Sequence, residues 1–185
     1  MLPHVDDPSH PAPVTPPAAA GEYGIWTGYH IHPDRSGWHP LVRQFHDYWT
    51  AAAPPGRLPG RQHILPEEMV AMLSRLWLLD VHRDPLRYRY RLCGTEMVRS
   101  LRREVTGCWL DEVHPELIAN PHSRDRFRFS VETGMSTWRS GPPLWVRDPE
   151  HRTIETCIAP LATDGHAVDK LLAISILFDS NGRPI

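Results

Sequence analysis

The alternation of polar and apolar positions changes period several times along this chain, and each change marks an element. Leu76-Trp77-Leu78-Leu79-Asp80-Val81 is almost continuously apolar, the composition of a strand covered on both faces. After Asp84-Pro85, which supplies turn chemistry, Tyr88, Tyr90 and Leu92 alternate with Arg87, Arg89 and Arg91. A period of two puts the first set on one sheet face and the guanidinium groups on the other. The two runs predict a hairpin of one central and one edge strand, since a row of charge discourages pairing with another chain.

Helical spacing flanks this hairpin. Leu41, Phe45, Tyr48, Trp49 and Ala52 share one face of a helix predicted over 40–53, with Pro40 tolerated in its first turn and Pro54-Pro55 ending it. A second helix is predicted over 66–74, with Met69, Met72, Leu73 and Leu76 on its inner face. After the hairpin, Thr95 can cap a short helix reaching about Arg102, and residues 121–133 predict a longer one with Phe127 and Val131 one turn apart, stopped by Gly134. Leu144-Trp145-Val146, following Pro142-Pro143, predicts an edge strand. Residues 153–159 and 168–178 predict two more strands, with Asp164-Gly165 turning between them.

With 185 residues, 41% of them hydrophobic, the chain has room for one ordinary core. Residues 1–37 carry Pro3, Pro8, Pro11, Pro13, Pro16, Pro17 and Pro33 among small residues and read as a leader or docking arm, leaving 38–185 as the domain. Within the arm, Tyr23, Ile25, Trp26, Tyr29 and Ile31 predict docking on the body or on a second subunit. The net charge of -2 and a pI near 6.6 give no field that would gather nucleic acid or an anionic membrane, so neither is expected as a partner. Cys93, Cys108 and Cys157 are far apart and form no CxxC pair, so they read as buried free thiols. No basic-then-apolar leader and no long apolar run occurs, and a cytoplasmic location is expected.

Gly94-Thr95-Glu96-Met97-Val98, followed by the run from Thr106-Gly107-Cys108-Trp109-Leu110 to His114-Pro115-Glu116, resembles the pattern of the PAS family. Together with Leu58-Pro59-Gly60-Arg61, the hairpin and Gly94-Thr95, it is similar to a compact bacterial subfamily of single-domain PAS proteins, over roughly residues 40–178. The resemblance implies an α+β fold: a five-stranded antiparallel sheet in the order 2-1-5-4-3, short helices on one face and flanking N-terminal helices. It also implies a non-enzymatic sensory module that signals through a separate partner protein, because no output domain is recognisable beside it. Two kinds of site are expected. A pocket for a small apolar ligand is predicted between sheet and helices, lined by Tyr90, Met97, Leu101, Trp109, Phe127, Val131, Ile158 and Ile174, where large apolar residues converge. A homodimer is predicted through Leu41, Phe45, Tyr48 and Trp49. The alternatives are a ligand-free interaction scaffold and a cone-shaped isomerase-type fold, which the early hairpin disfavours.

No catalytic constellation is legible: there is no Ser-His-Asp order, HExxH, P-loop or GxGxxG. His114-Pro115-Glu116 reads as a structural turn, and Asp80 and Glu155 as strand-surface charges. His122 lies where haem-binding PAS domains take an axial ligand, but its neighbours Asn120, Ser123 and Arg124 are polar, and the helix lacks the Cys that a flavin photoreceptor requires. Neither a cofactor nor a metal is expected, and the purified protein should be colourless.

Overall fold

The computed structural model describes residues 35–144 and 153–185. The aromatic arm residues from Tyr23 to Ile31 lie outside that range, as do Trp145 and Val146. Helix α1 (Pro40–Ala51) precedes the hairpin of β1 (Leu76–His82) and β2 (Arg87–Cys93). Four helices follow, α2 (Thr95–Leu101), α3 (Leu110–Val113), α4 (Pro115–Ala119) and α5 (Pro121–Thr133). The chain ends in β3 (Thr137–Gly141), β4 (Thr153–Leu161) and β5 (Lys170–Phe178). All pairings are antiparallel and the order is β2-β1-β5-β4-β3, as the family resemblance implied. No helix among the described residues is long and apolar enough to cross a membrane.

The sheet sorts its side chains by parity. On the inner face, Trp77, Leu79, Tyr88, Tyr90, Ile158, Leu171 and Ala173 pack against Met97, Leu110, Leu117, Phe127 and Val131 of α2–α5. On the outer face, Leu76, Leu78, Cys157, Leu161, Leu172, Ile174 and Ile176 pack under Trp38, Val42 and Phe45 of the α1 region. Helix α1 runs along β4. At one end the buried Glu155 carboxylate accepts the His39 backbone N–H at 2.9 and 3.1 Å and the Trp138 Nε1–H at 2.9 Å. At the other, Trp49 Nε1–H donates to the Pro160 carbonyl at 2.9 Å. A carboxylate at a helix N-terminus is favoured by the helix dipole, and burial pushes the Glu155 pKa up against the pull of these donors.

Several expectations need correcting. The helix predicted over 66–74 is instead two single 3₁₀ turns, Pro66–Glu68 and Leu73–Arg75. Its two buried methionines, Met69 and Met72, lie in the connection between those turns, and the drawn-out segment reaches the start of β1. The helix predicted over 40–53 ends at Ala51, and its Phe45 is fully buried on its own sheet, so Phe45 has no surface to offer a second subunit. Leu41, Tyr48 and Trp49 are half-buried beside it. The third strand among the described residues is Thr137–Gly141, and Pro142-Pro143 follow its end; beyond Leu144, the strand predicted from Leu144-Trp145-Val146 lies outside the described residues. Glu155 is buried because α1 covers the face it projects from, and Cys157 alone of the thiols is fully buried.

Phe45→Ala should lower the unfolding free energy by about 3–5 kcal/mol, the range for emptying a buried Phe site. Urea titration checks this, and a loss under about 1 kcal/mol would mean that α1 is not seated on the sheet.

Candidate functional site

Concavities among the described residues include one on each face of the sheet and a third of about 330 Å³ between β2 and the helical layer, bordered by Arg87, Tyr88, Asp111, Ile118, Arg124 and Arg128. The inner one lies beneath α5. Asn120 starts that helix by accepting the Ser123 N–H at 3.1 Å, and Gly134 ends it at φ +68°. Its buried positions Ser123, Arg126, Phe127, Ser130 and Val131 follow helical spacing, so the face turned to the sheet is largely polar. Arg126 donates through Nε to Thr137 Oγ1 at 2.9 Å and through Nη2 to the carbonyls of Thr137 and Thr156 at 3.2 and 2.9 Å. These bonds tie α5 to β3 and β4. Arg139 donates to the Pro142 carbonyl at 2.7 Å, and burial, aided by the Arg126 charge, lowers its pKa to about 9. Trp77 Nε1–H donates to Ser175 Oγ at 2.9 Å, and Ser175 shares a 3.1 Å bond with Thr156 Oγ1. His114, buried between α3 and α4, shares a 3.1 Å hydrogen bond with the Tyr90 hydroxyl. The space enclosed by these groups is about 40 Å³, room for a few waters.

Five of the predicted pocket residues, Tyr90, Met97, Leu101, Phe127 and Ile158, line this space. Val131 is buried in the same cluster. The other two lie elsewhere. Ile174 shares parity with Leu172 and Ile176 and so projects to the outer face, whereas Ser175 beside it turns to the inner one. Trp109 forms a bridge opposite Arg89 beyond the edge of β2, where Arg87 and Arg89 lie 4.1 and 5.7 Å from its ring centre. The polar lining of Ser123, Arg126, Arg139, Thr156 and Ser175 was missed, although Ser123, Arg126 and Ser130 at helical spacing on one face of α5 were a signal for it. Among the described residues no group of His, Cys, Asp or Glu could hold a metal.

The outer concavity is a groove of about 400 Å³ over β1 and β2, beside α1. Its floor is Leu76, Leu78, Leu92 and Leu172, and its wall is Ile64, Pro66, Met69 and Leu73. An irregularity in the hairpin register opens it. Leu78 pairs with Leu92 but Leu79 pairs with Tyr90, so Arg91 is an extra residue on β2 and the parity of the strand flips there. Leu92 was expected on the face of Tyr88 and Tyr90; it projects to the opposite face and is 47% exposed. The groove's end is fixed at Gly94, where any Cβ would meet the Ser74 and Leu73 carbonyl oxygens at 2.4 and 2.5 Å. Ser74 and Arg75 are also held there by Glu96, at 3.0 and 2.9 Å. Of the exposed large apolar residues among those described, Leu73 and Leu92 line the groove, Leu65 and Val70 flank it in the chain, and Ile185 alone is elsewhere.

With this geometry the chain can be placed. Residues 38–127 match the family model described as PAS domain, and over that span the chain belongs to the PAS family. It is a sensory-type module. A solved structure of an RNA-binding Light-Oxygen-Voltage receptor aligns with it at a TM-score of 0.44 and 16% identity, covering 82% of this chain. The chain spans 38% of that protein's length. No curated protein matches the chain in sequence.

The His114–Tyr90 pair gives the inner face a pH signature. Burial, and then the Arg103 charge, lowers the His114 pKa to about 4 from 6.5. The folded state therefore favours neutral imidazole, and this contribution is complete above pH 6.5 and lost as pH falls from 6.5 toward 4. The loss should approach about 3 kcal/mol, at 1.36 kcal/mol per unit. Chemical unfolding at stepped pH should show this decline in the natural protein and a shallower one in His114→Gln; parallel profiles would contradict it.

Proposed function

We propose that this chain is a sensory and signalling module that acts by protein–protein contact through the outer face of its sheet. The observation that carries the reading is the difference between the two faces. The inner space of about 40 Å³ is far below the roughly 300 Å³ at which small-molecule sites begin, whereas the outer groove of about 400 Å³ is apolar and open. A small apolar ligand under α5 would have to displace packed side chains and meet Arg126 and Arg139. The groove, by contrast, concentrates leucines where water would otherwise wet them, the usual mark of an interaction surface. Changes sensed within the domain would reach it through Trp77 and Leu78, adjacent residues of β1 that face opposite sides of the sheet.

A photo-crosslinking amino acid at position 70, introduced in living cells, tests the reading. Val70 is 68% exposed beside the groove, so the substitution leaves the core intact. The expected result is a discrete protein adduct that disappears when Leu92→Lys is added. No adduct, or one indifferent to Leu92→Lys, would overturn the reading.

A further inference from the structure

We infer that the cleft between β2 and the helical layer binds an organic acid, a carboxylate carried on a small apolar body. At about 330 Å³ the cleft is within the size range of small-molecule sites. It shares no lining residue with the inner space or the outer groove, so it is a separate site from the surface proposed for protein contact. Leu86, Ile118 and the Tyr88 ring supply its apolar surface. Arg87 donates through Nε and Nη2 to the two Asp111 oxygens at 3.0 and 2.9 Å, so these two lining charges cancel. The charge that remains on the lining is that of Arg124 and Arg128.

Two features of the cleft call for an anion. Arg124 and Arg128 are four residues apart on α5, the spacing at which like charges on a helix repel. Each engages a neighbouring acid through Nε, Asp125 at 3.4 Å and Glu132 at 3.1 Å, and the Nη edge of a guanidinium is a planar pair of donors fitted to a carboxylate. The second feature is Tyr88. It lines the cleft and is 5% exposed, and its hydroxyl is buried without a hydrogen-bond partner among the described residues, whereas the hydroxyls of Tyr48 and Tyr90 are both bonded. Burial pushes the Tyr88 pKa up against the Arg128 charge, so the hydroxyl stays protonated and can donate. A carboxylate can accept from this hydroxyl and from a guanidinium together. A bare inorganic anion would leave Leu86 and Ile118 uncovered, and an uncharged apolar molecule would leave the cations unmet.

Calorimetric titration of the full chain with phenylacetate, octanoate, their uncharged amides and inorganic phosphate tests the site. At least one acid should bind with a Kd below about 1 mM, and its amide and phosphate about tenfold or more weakly. Arg124→Gln combined with Arg128→Gln alters exposed side chains only, so the unfolding midpoint should hold while the acid binds about tenfold or more weakly. Tyr88→Phe keeps the buried ring and removes the unmet hydroxyl, so the midpoint should hold or rise while acid binding weakens. Failure of both acids to bind by about 10 mM, an amide or phosphate that binds as tightly as the acid, or binding indifferent to either variant would overturn the inference.

Discussion

A sheet has two apolar faces, and one helix is too narrow to cover a face of five strands. Helix α1 runs along β4, from the Glu155 carboxylate to the Pro160 carbonyl, and an α-helix with its side chains is about 10–12 Å across. Strands lie about 4.8 Å apart, so such a helix shelters about two of them. It packs on β4 and β5. What remains of the outer face, over β1 and β2, falls to the 3₁₀ segment between Arg61 and Arg75, which supplies Ile64, Met69 and Met72 and leaves the groove open.

The inner face is closed differently. Four short helices cover it, and the longest turns a polar side inward. Burying Arg126 is costly unless its donors are met, and the Thr137 and Thr156 oxygens meet them while joining α5 to two strands. His114 and Tyr90 do the same between the α3–α4 junction and β2. The polar inner groups thus hold the helical layer in register with the sheet and leave little space. The face that is closed by packing has its polar groups inside, and the face left open has its leucines outside.

Much of this was legible in the amino-acid sequence. The hairpin, the helix from Pro121 to Thr133 with its Gly134 cap, the strand order and the edge position of β2 followed from period, turn chemistry and family resemblance. The site was less legible, for identifiable reasons. Parity locates a side chain only while the strand is regular, and the extra residue at Arg91 sends Leu92 to the opposite face without any mark in the alternation. A strand apolar on both faces such as β5 gives little parity signal, and its one polar interior residue, Ser175, marks the inner face, which is the side opposite Ile174. The apolar face of α1 was equally consistent with its own sheet and with a partner; the structure seats it on its own sheet, and the exposed apolar surface lies one element further along the chain.

The claim that the outer groove is the working surface can be tested by hydrogen exchange on the natural chain alone and mixed with the protein that the crosslinker at position 70 captures. The account predicts that amides in 64–76 and 91–94 become slower to exchange in the mixture, while those of α3, α4 and α5 do not change. Exchange in 64–76 and 91–94 that the captured protein leaves unaffected, or protection that appears on the helical layer, would contradict it.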